Sequence, residues 1–320
     1  MMIRVENLVK SFGAKRAVDD ISFSVERGEV LGFLGPNGAG KSTTMRIVTG
    51  FYPPTSGRVT VGGFDIVENP LPAKRLVGYL PENAPAYADM TVHGFLSFAA
   101  ELRGLTGDSR KKAISRVVEL CHLDRVLYQT IDTLSKGYKH RTCLAQSLIH
   151  DPDILILDEP TDGLDPNQKH EARELIKRMG EKKAIVFSTH ILEEVEQVST
   201  RVIIIDRGRI VADGTPQQLK ARSELAGAVR VSTRSIGAAA LSGKLAGLAS
   251  RTEVLADDGA HVVARAYPRD RGANGAFAGS IAELAQRENW KLDEIHVEEG
   301  RLDEVFRSIT LPDTVKGAAV

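Results

Sequence analysis

A glycine-rich stretch directly follows a short apolar run near the start of the chain. The run Val30–Leu34 has the length of a buried strand, and Gly35–Ser42 then reads Gly-Pro-Asn-Gly-Ala-Gly-Lys-Ser. Glycines let backbone N–H groups close around phosphate oxygens, and the helix expected next points its positive end at the same anion. Lys41 adds a charge near the β- and γ-phosphates, and the Ser42 hydroxyl can reach Mg²⁺. This pattern predicts a nucleoside triphosphate site in an α/β protein.

A second apolar run ends in two acidic residues. Ile154–Leu157 has the continuous apolar character of a central parallel strand that is covered on both faces. Asp158 at its carboxyl end can reach Mg²⁺ directly or through water, and Glu159 is suited to orient or deprotonate an attacking water. The alternative is that two acids simply end a strand and cap its turn. The phosphate loop upstream favours the metal and water roles.

Three further motifs occur in order around this strand. Leu134–Tyr138 reads Leu-Ser-Lys-Gly-Tyr, Gly163–Asp165 follows the acidic pair, and His190 follows an apolar strand in the context Ser-Thr-His. Ser135 is typical of a helix N-cap, and its hydroxyl with the N–H of Gly137 can form another anion site. An ordinary capped helix is the alternative. His190 is placed where open α/β sheets bind ligands, although alone it would be read as a surface histidine.

The order and spacing of these motifs resemble the ATP-binding subunit of ABC transporters over about residues 1–220. The resemblance implies that the cofactors are ATP and Mg²⁺, that Glu159 and His190 are catalytic, and that the chain acts as a head-to-tail homodimer. Phe12 matches the aromatic residue that stacks on adenine, with a core phenylalanine as the alternative. The residues implied to contact nucleotide are Phe12, Gly35, Pro36, Asn37, Gly38, Ala39, Gly40, Lys41, Ser42, Thr43, Glu82, Ser135, Gly137 and Asp165.

Three features depart from the usual pattern of that family. Glu82 stands where glutamine is usual, Lys136 and Tyr138 stand where glycine and glutamine are commoner, and Asp162 stands where serine is frequent. A carboxylate oxygen can still bind Mg²⁺ or its water, so Glu82 joins Ser42 and Asp158 as an expected metal ligand. Its charge beside the acidic pair adds repulsion. This combination resembles the branch serving ABC-2-type exporters, which includes gliding-motility, copper-processing and drug- or sodium-extrusion systems.

Composition narrows the expected partners. The 42 basic and 42 acidic residues give a net charge of zero, which argues against a general nucleic-acid binder. Cys121 and Cys143 lack metal or redox spacing and are expected to be buried in a reducing cytosol. No signal-peptide core is visible, and no run approaches the about 20 apolar residues of a membrane span. If the chain serves transport, membrane-spanning permease subunits are encoded separately, and it lies at the cytoplasmic face of the cell membrane.

The alternative function is that of a soluble ABC ATPase acting on a ribosome, DNA or a regulatory partner. Ribosome-acting members usually carry two such domains in one chain, and DNA-repair members carry long coiled coils or zinc cysteines. Neither feature is visible in this sequence. We therefore expect a subunit that powers a transporter, with an exporter as the expected type.

Domain limits follow from the motifs and from a change in composition. Residues 1–223 are expected to form a P-loop NTPase domain: a RecA-like core with an antiparallel β subdomain and a helical subdomain at about 88–150. The resemblance places the docking site of a permease coupling helix at Pro85–Val92. After Gly227 the composition shifts toward Ala, Gly and Ser.

The C-terminal part of the chain is predicted to be a separate small domain. Over residues 224–311 the pattern reads β-α-β-β-α-β, which favours a ferredoxin-like α+β domain. A regulatory or dimer-supporting role and a mere packing appendage are the alternatives. Residues 312–320 are predicted to be a disordered tail.

Overall fold

The chain forms two compact units, Met1–Pro216 and a second unit that begins at Gln217. A computed structural model describes residues 1–83, 86–234, 236–270 and 274–310. Pro85, at the start of the predicted docking segment, and the predicted tail 312–320 lie outside these ranges. The boundary predicted from composition, at 223/224, lies slightly downstream of the point where the compact units part.

An antiparallel sheet opens the first unit. Its order is β2-β1-β4-β5, and buried residues alternate along the first half of β1 and the second half of β2. Ile3 pairs with Val25 and Val5 with Phe23, and all four side chains point into one core. This sheet is the predicted antiparallel β subdomain. Its strands are β1 (Ile3–Phe12), β2 (Lys15–Val25), β4 (Ser56–Val61) and β5 (Phe64–Asp65).

A largely parallel sheet forms the centre of the first unit. Its order is β10-β9-β3-β8-β7-β6, and only the β9–β10 pair among these strands, as described, is antiparallel. Because β3, β7 and β8 are neighbours and run parallel, the loops after them meet at one edge of the sheet. The strands are β3 (Val30–Leu34), β6 (Val77–Leu80), β7 (Ile154–Asp158), β8 (Ala184–Thr189), β9 (Arg201–Asp206) and β10 (Arg209–Gly214).

Helices of the first unit pack around this sheet and form the predicted helical subdomain. That subdomain contains α3, α4 and α5, and Cys121 and Cys143 are buried in it as expected. Burial raises the pKa of both thiols to about 12, so they behave as small apolar groups. The helices are α1 (Lys41–Val48), α2 (Pro70–Arg75), α3 (Val92–Leu102), α4 (Gly107–Leu120), α5 (Lys136–Leu148), α6 (Pro166–Gly180) and α7 (Leu192–Val198). The next helix, α8 (Pro216–Lys220), begins at the last residue of the first unit and belongs otherwise to the second.

The second unit has the predicted β-α-β-β-α-β order. Its antiparallel sheet has the order β12-β13-β11-β14, as in ferredoxin-like domains. Val229 and Val231 face the helices with Leu241 and Ile281 in one apolar core. Its elements are β11 (Val229–Thr233), α9 (Ala238–Leu245), β12 (Ala249–Asp257), β13 (Val262–Pro268), α10 (Asn274–Arg287), β14 (Leu292–Val297) and α11 (Leu302–Ile309).

None of the helices within the described ranges combines the length and the apolar character that a membrane span requires.

Candidate functional site

The loop between β3 and α1 has the backbone that phosphate binding needs. Gly38 and Gly40 adopt φ values of 79° and 109°, which residues with a Cβ rarely adopt. A Cβ on Gly40 would lie 2.6 Å from the Ala17 carbonyl oxygen, and one on Gly35 would lie 2.3 Å from the Ile205 carbonyl oxygen. Sterics therefore require glycine at these positions. The loop residues Asn37, Gly38, Ala39, Gly40, Lys41, Ser42 and Thr43 line a cleft of about 410 Å³.

Lys41 is folded back onto its own loop. Its Nζ donates hydrogen bonds to the carbonyl oxygens of Gly35 at 2.7 Å and Pro36 at 3.3 Å, and it lies 3.7 Å from Glu159 Oε1. The side chain is only 6% exposed. Burial lowers the pKa of Lys41, and the nearby carboxylates of Glu159 and Asp158 oppose that shift. A desolvated ammonium group thus lies beside the cleft, ready to exchange carbonyl oxygens for phosphate oxygens.

Asp158 and Ser42 form an incomplete set of oxygen ligands. Ser42 Oγ donates to Asp158 Oδ1 at 3.0 Å, and Ser188 Oγ donates to the same oxygen. Asp158 is fully buried, yet its Oδ2 has no hydrogen-bond partner among the described residues. A buried carboxylate oxygen without a partner costs free energy unless a cation satisfies it. The chemistry of this pair therefore fits Mg²⁺, and Ser188 is a contributor that the sequence did not reveal.

Glu159 is held against His190 beside the cleft. Its φ of 51° is unusual for glutamate, and Ser188 fixes it by accepting from its N–H through both the carbonyl oxygen and Oγ. Glu159 Oε2 and His190 Nδ1 are 3.0 Å apart. Burial raises the pKa of Glu159, while the hydrogen bond to His190 and the charge of Lys41 act to lower it. A partly desolvated carboxylate with an oriented histidine suits proton abstraction from water.

Phe12 and Glu82 line the same cleft as the phosphate loop. Phe12 is 46% exposed and packs edge-on against Tyr52, with 5.6 Å between ring centroids. The Nζ of Lys10 lies 5.1 Å from the centre of the Phe12 ring. The alternative of a core phenylalanine is therefore wrong. Tyr52 and Lys10 support this aromatic wall, and nothing in the sequence pattern pointed to them.

Ser135, Gly137 and Asp165 are not part of this cleft's lining as the described residues define it. Ser135 is exposed and caps α5 by accepting from Tyr138 N at 3.4 Å, as predicted. Asp165 caps α6 by accepting from Gln168 N at 2.9 Å. The structure thus brings the phosphate loop, both acids, Glu82 and Phe12 together and leaves these three residues outside the cleft.

Two of the departures from the family pattern contact each other. Lys136 Nζ lies 3.1 Å from Asp162 Oδ2, and this lysine holds the pKa of the Asp162 carboxyl below its usual range. Both side chains are largely exposed. The pair connects the start of α5 to the loop before α6, so the two unusual residues form one interaction.

Comparisons with known proteins agree with this geometry. Residues 18–162 match the family described as ABC transporter. The chain is 39% identical over 222 residues to the linearmycin resistance ATP-binding protein LnrL of Bacillus subtilis (strain 168), covering 69% of this chain and 71% of that one. It is 41% identical over 223 residues to the Probable multidrug ABC transporter ATP-binding protein YbhF of Escherichia coli (strain K12), covering 69% of this chain but only 38% of that protein.

A solved structure of an ATP-binding subunit of an ABC transporter superposes with a TM-score of 0.64 at 29% identity. The match covers 69% of this chain and 92% of that chain. In the present chain, the family match begins before the phosphate loop and extends past the acidic pair Asp158 and Glu159. This chain therefore belongs to the ATP-binding proteins of ABC transporters, whose reaction is the hydrolysis of ATP.

Proposed function

We propose that the chain powers an ABC-2-type exporter as a homodimer at the cytoplasmic face of the cell membrane, beneath separately encoded permease subunits. The names of two relatives, a linearmycin resistance protein and a multidrug transporter protein, support an export role. Glu82, Lys136 and Asp162, the departures from the usual pattern, support the ABC-2 branch. A soluble ABC ATPase on a ribosome, DNA or a regulatory partner is the alternative class.

Each residue of the proposed site has a separate role in ATP hydrolysis. Lys41 exchanges its bonds to loop carbonyls for bonds to the β- and γ-phosphates. Bound Mg²⁺, held by Ser42, Asp158 and directly or through water Glu82, would neutralise charge on the phosphate oxygens. Glu159 accepts a proton from the attacking water, and His190 fixes the orientation of that carboxylate.

One observation carries the homodimer proposal: the helix start at Ser135 and Gly137 does not line the cleft of the phosphate loop. Ser135 and Gly137 start a helix of 13 residues, where an anion is favoured, but they do not line the cleft described for their own chain. In a head-to-tail pair, this helix start of one copy can complete the cleft of the other. The γ-phosphate would then be bound between two chains, so binding closes the dimer and hydrolysis opens it.

A mixing experiment tests the shared site. Lys41→Ala destroys the phosphate loop of its own chain, while Ser135→Arg blocks the helix start that serves the partner. Each variant alone is expected to lack turnover. A mixture should regain ATP hydrolysis, because a heterodimer contains one site with both halves intact. A mixture that stays as inactive as its components would contradict a site shared between chains.

The permease is proposed to dock on the segment that leads into α3. Tyr87 is 54% exposed and packs edge-on against Phe95 and Phe98 of that helix, at centroid distances of 6.2 and 5.7 Å. An exposed aromatic residue that packs against a helix is a typical contact point for a protein partner. Purification of the native complex should recover membrane proteins with several spanning helices. Recovery of ribosomes or DNA instead would favour the alternative class.

A further inference from the structure

Glu194 is a buried carboxylate outside the set of described residues that lines the cleft. It lies in the first turn of α7 and is 2% exposed. Its Oε1 accepts a short hydrogen bond from Thr161 Oγ1, and its Oε2 accepts one from Thr189 Oγ1 at 2.8 Å. Both threonines are buried as well. One carboxylate therefore joins the loop after β7 to the end of β8.

The two threonines stand next to the proposed catalytic pair. Thr189 directly precedes His190, and its hydroxyl also accepts from the N–H of Ile191 at 3.0 Å, which fixes the turn that presents the histidine. Thr161 follows Glu159 by two residues. The hydrogen bonds of the Glu194 carboxylate therefore hold two residues that lie within two positions of Glu159 and His190 in the sequence.

The surroundings of this carboxylate argue against a role in stability alone. Two neutral hydroxyls replace only part of the hydration that a carboxylate loses on burial. Lys169 Nζ lies 4.0 Å from Oε1 and keeps a side chain that is 30% exposed. An apolar side chain of similar volume would fill the position with a smaller loss of hydration. What a carboxylate adds is two acceptor oxygens in a fixed geometry.

We propose that Glu194 is a positioning residue for ATP hydrolysis. It holds the segments that contain Thr161 and Thr189 in one arrangement, and this arrangement keeps His190 on Glu159. The inference rests on the proposed roles of Glu159 and His190. Glu194 acts through these residues and touches neither the water nor the nucleotide.

Substitutions in the full-length chain test this role. Glu194→Leu should lower kcat about tenfold to hundredfold, because a displacement of about 1 Å in a catalytic group has effects of that size. The Kd for ATP should change less than about threefold, since the phosphate loop is untouched. Glu194→Gln should recover most of the turnover, because the amide keeps the shape, one acceptor oxygen and a donor for the other hydroxyl. Glu193→Leu is the matched control, since Glu193 is exposed and pairs with Arg173 and Gln197 at the surface.

A double variant separates positioning from general destabilisation. If Glu194 acts through His190, then Glu194→Leu has no further effect on kcat in a His190→Ala chain. Effects that multiply would overturn the proposal, and so would a Glu194→Gln chain as slow as Glu194→Leu. Loss of ATP binding in step with kcat would also overturn it, because that result indicates a purely structural role.

A second substitution keeps the test open if Glu194→Leu does not fold. Thr189→Val removes one of the two hydroxyls with little change in volume. Like Glu194→Leu, it should have no further effect on kcat in a His190→Ala chain. A His190→Ala chain that hydrolyses ATP as fast as wild type would refute the underlying role of His190. That result is distinct from multiplying effects, which would refute the role of Glu194 alone.

Discussion

The two units of this chain use charged residues in different ways. In the first unit, Lys41, Asp158 and Glu194 are buried together around one edge of a parallel sheet, and one oxygen of Asp158 has no partner within the described residues. In the second unit, charged residues of the antiparallel sheet pair across strands. Arg265 on β13 lies directly opposite Glu253 on β12, with 3.4 Å between Arg265 Nη1 and Glu253 Oε2, and it donates a hydrogen bond to Glu298 Oε1 at 3.0 Å.

Strand direction explains this contrast. Parallel strands all end at one edge, so their loops bring polar residues from distant parts of the sequence to one place. Antiparallel strands alternate in direction, and their polar side chains meet partners directly across the sheet. Charges that pair across neighbouring strands are structural, whereas we expect Lys41 and Asp158, at the shared edge of the parallel strands, to be available for a ligand. If the units differ in this way, substitutions in the cleft change activity, whereas matched substitutions in the second unit do not.

The largest effect is expected for Glu159→Gln. The amide keeps the shape but cannot accept the proton of water, so kcat should fall at least about hundredfold. ATP binding should persist, and an ATP-bound dimer should accumulate. Steady-state hydrolysis and sedimentation in Mg-ATP measure both results. Glu298→Gln, in the second unit, is the control and should leave kcat unchanged. Near-wild-type hydrolysis by Glu159→Gln would show that another group is the principal base.

Lys41→Ala should act on binding rather than on turnover alone. Removing a charged donor to phosphate should raise the Kd for ATP about tenfold to hundredfold. Equilibrium titration with ATP measures this. Lys244→Ala removes a lysine of the second unit that pairs with Glu288 at 2.9 Å, and its Kd should match that of wild type. Equal affinities for Lys41→Ala and wild type would contradict the proposed contact.

The pH dependence of turnover should reflect the raised pKa of Glu159. The base must be ionised to accept a proton, so activity is present above its pKa and is lost as pH falls through it. Burial raises that pKa above the ordinary value of 4.5. At pH values below the raised pKa, kcat should fall about tenfold per pH unit. A pH series measured on folded protein, verified by circular dichroism, gives the midpoint. A midpoint below 4.5 would contradict the effect of burial.

A smaller effect is expected at Glu82. Glu82→Ala removes the oxygen that we propose for the Mg²⁺ shell, so hydrolysis should fall several-fold and need more Mg²⁺. Glu82→Gln should be tolerated, because the amide oxygen can also bind the metal or its water. Hydrolysis over a range of Mg²⁺ concentrations distinguishes the variants. Equal activity of both variants would make Glu82 an ordinary loop residue.

The smallest effect on nucleotide binding is expected for removal of the second unit. A chain ending at Arg222 should fold and bind ATP within about twofold of full length, since the cleft lies in the first compact unit. Dimerisation or coupling to the permease should weaken. Thermal unfolding with and without Mg-ATP tests this. If Mg-ATP does not stabilise the shortened chain, the second unit contributes to the core of the catalytic domain.

Local sequence patterns predicted most of the elements that position the site. Continuous apolar runs identified β3 and β7, and the β-α-β-β-α-β order of the second unit followed from alternating patterns and turns. The same patterns do not predict β6 and α2, because each is short and lacks a strong period.

Interactions between distant residues were not predictable in the same way. Glu194 lies among Glu193, Val195 and Glu196, a stretch that reads as a solvated acidic face. Only the angular position of each residue on α7 shows that Glu194 turns inward with Val195. Likewise, Ser188 contacts Asp158 because β8 lies beside β7. The residues of a strand do not predict which strand lies beside it.

The hydrogen bonds between Lys41 and its own loop determine how much Lys41 can contribute to the affinity for ATP. The ammonium group already has oxygen partners, the carbonyls of Gly35 and Pro36. ATP therefore replaces existing partners instead of supplying the first ones, and the gain is the difference between two sets of charge–oxygen bonds. The same bonds keep the loop in its curved form before the nucleotide arrives, so less conformational freedom is lost on binding.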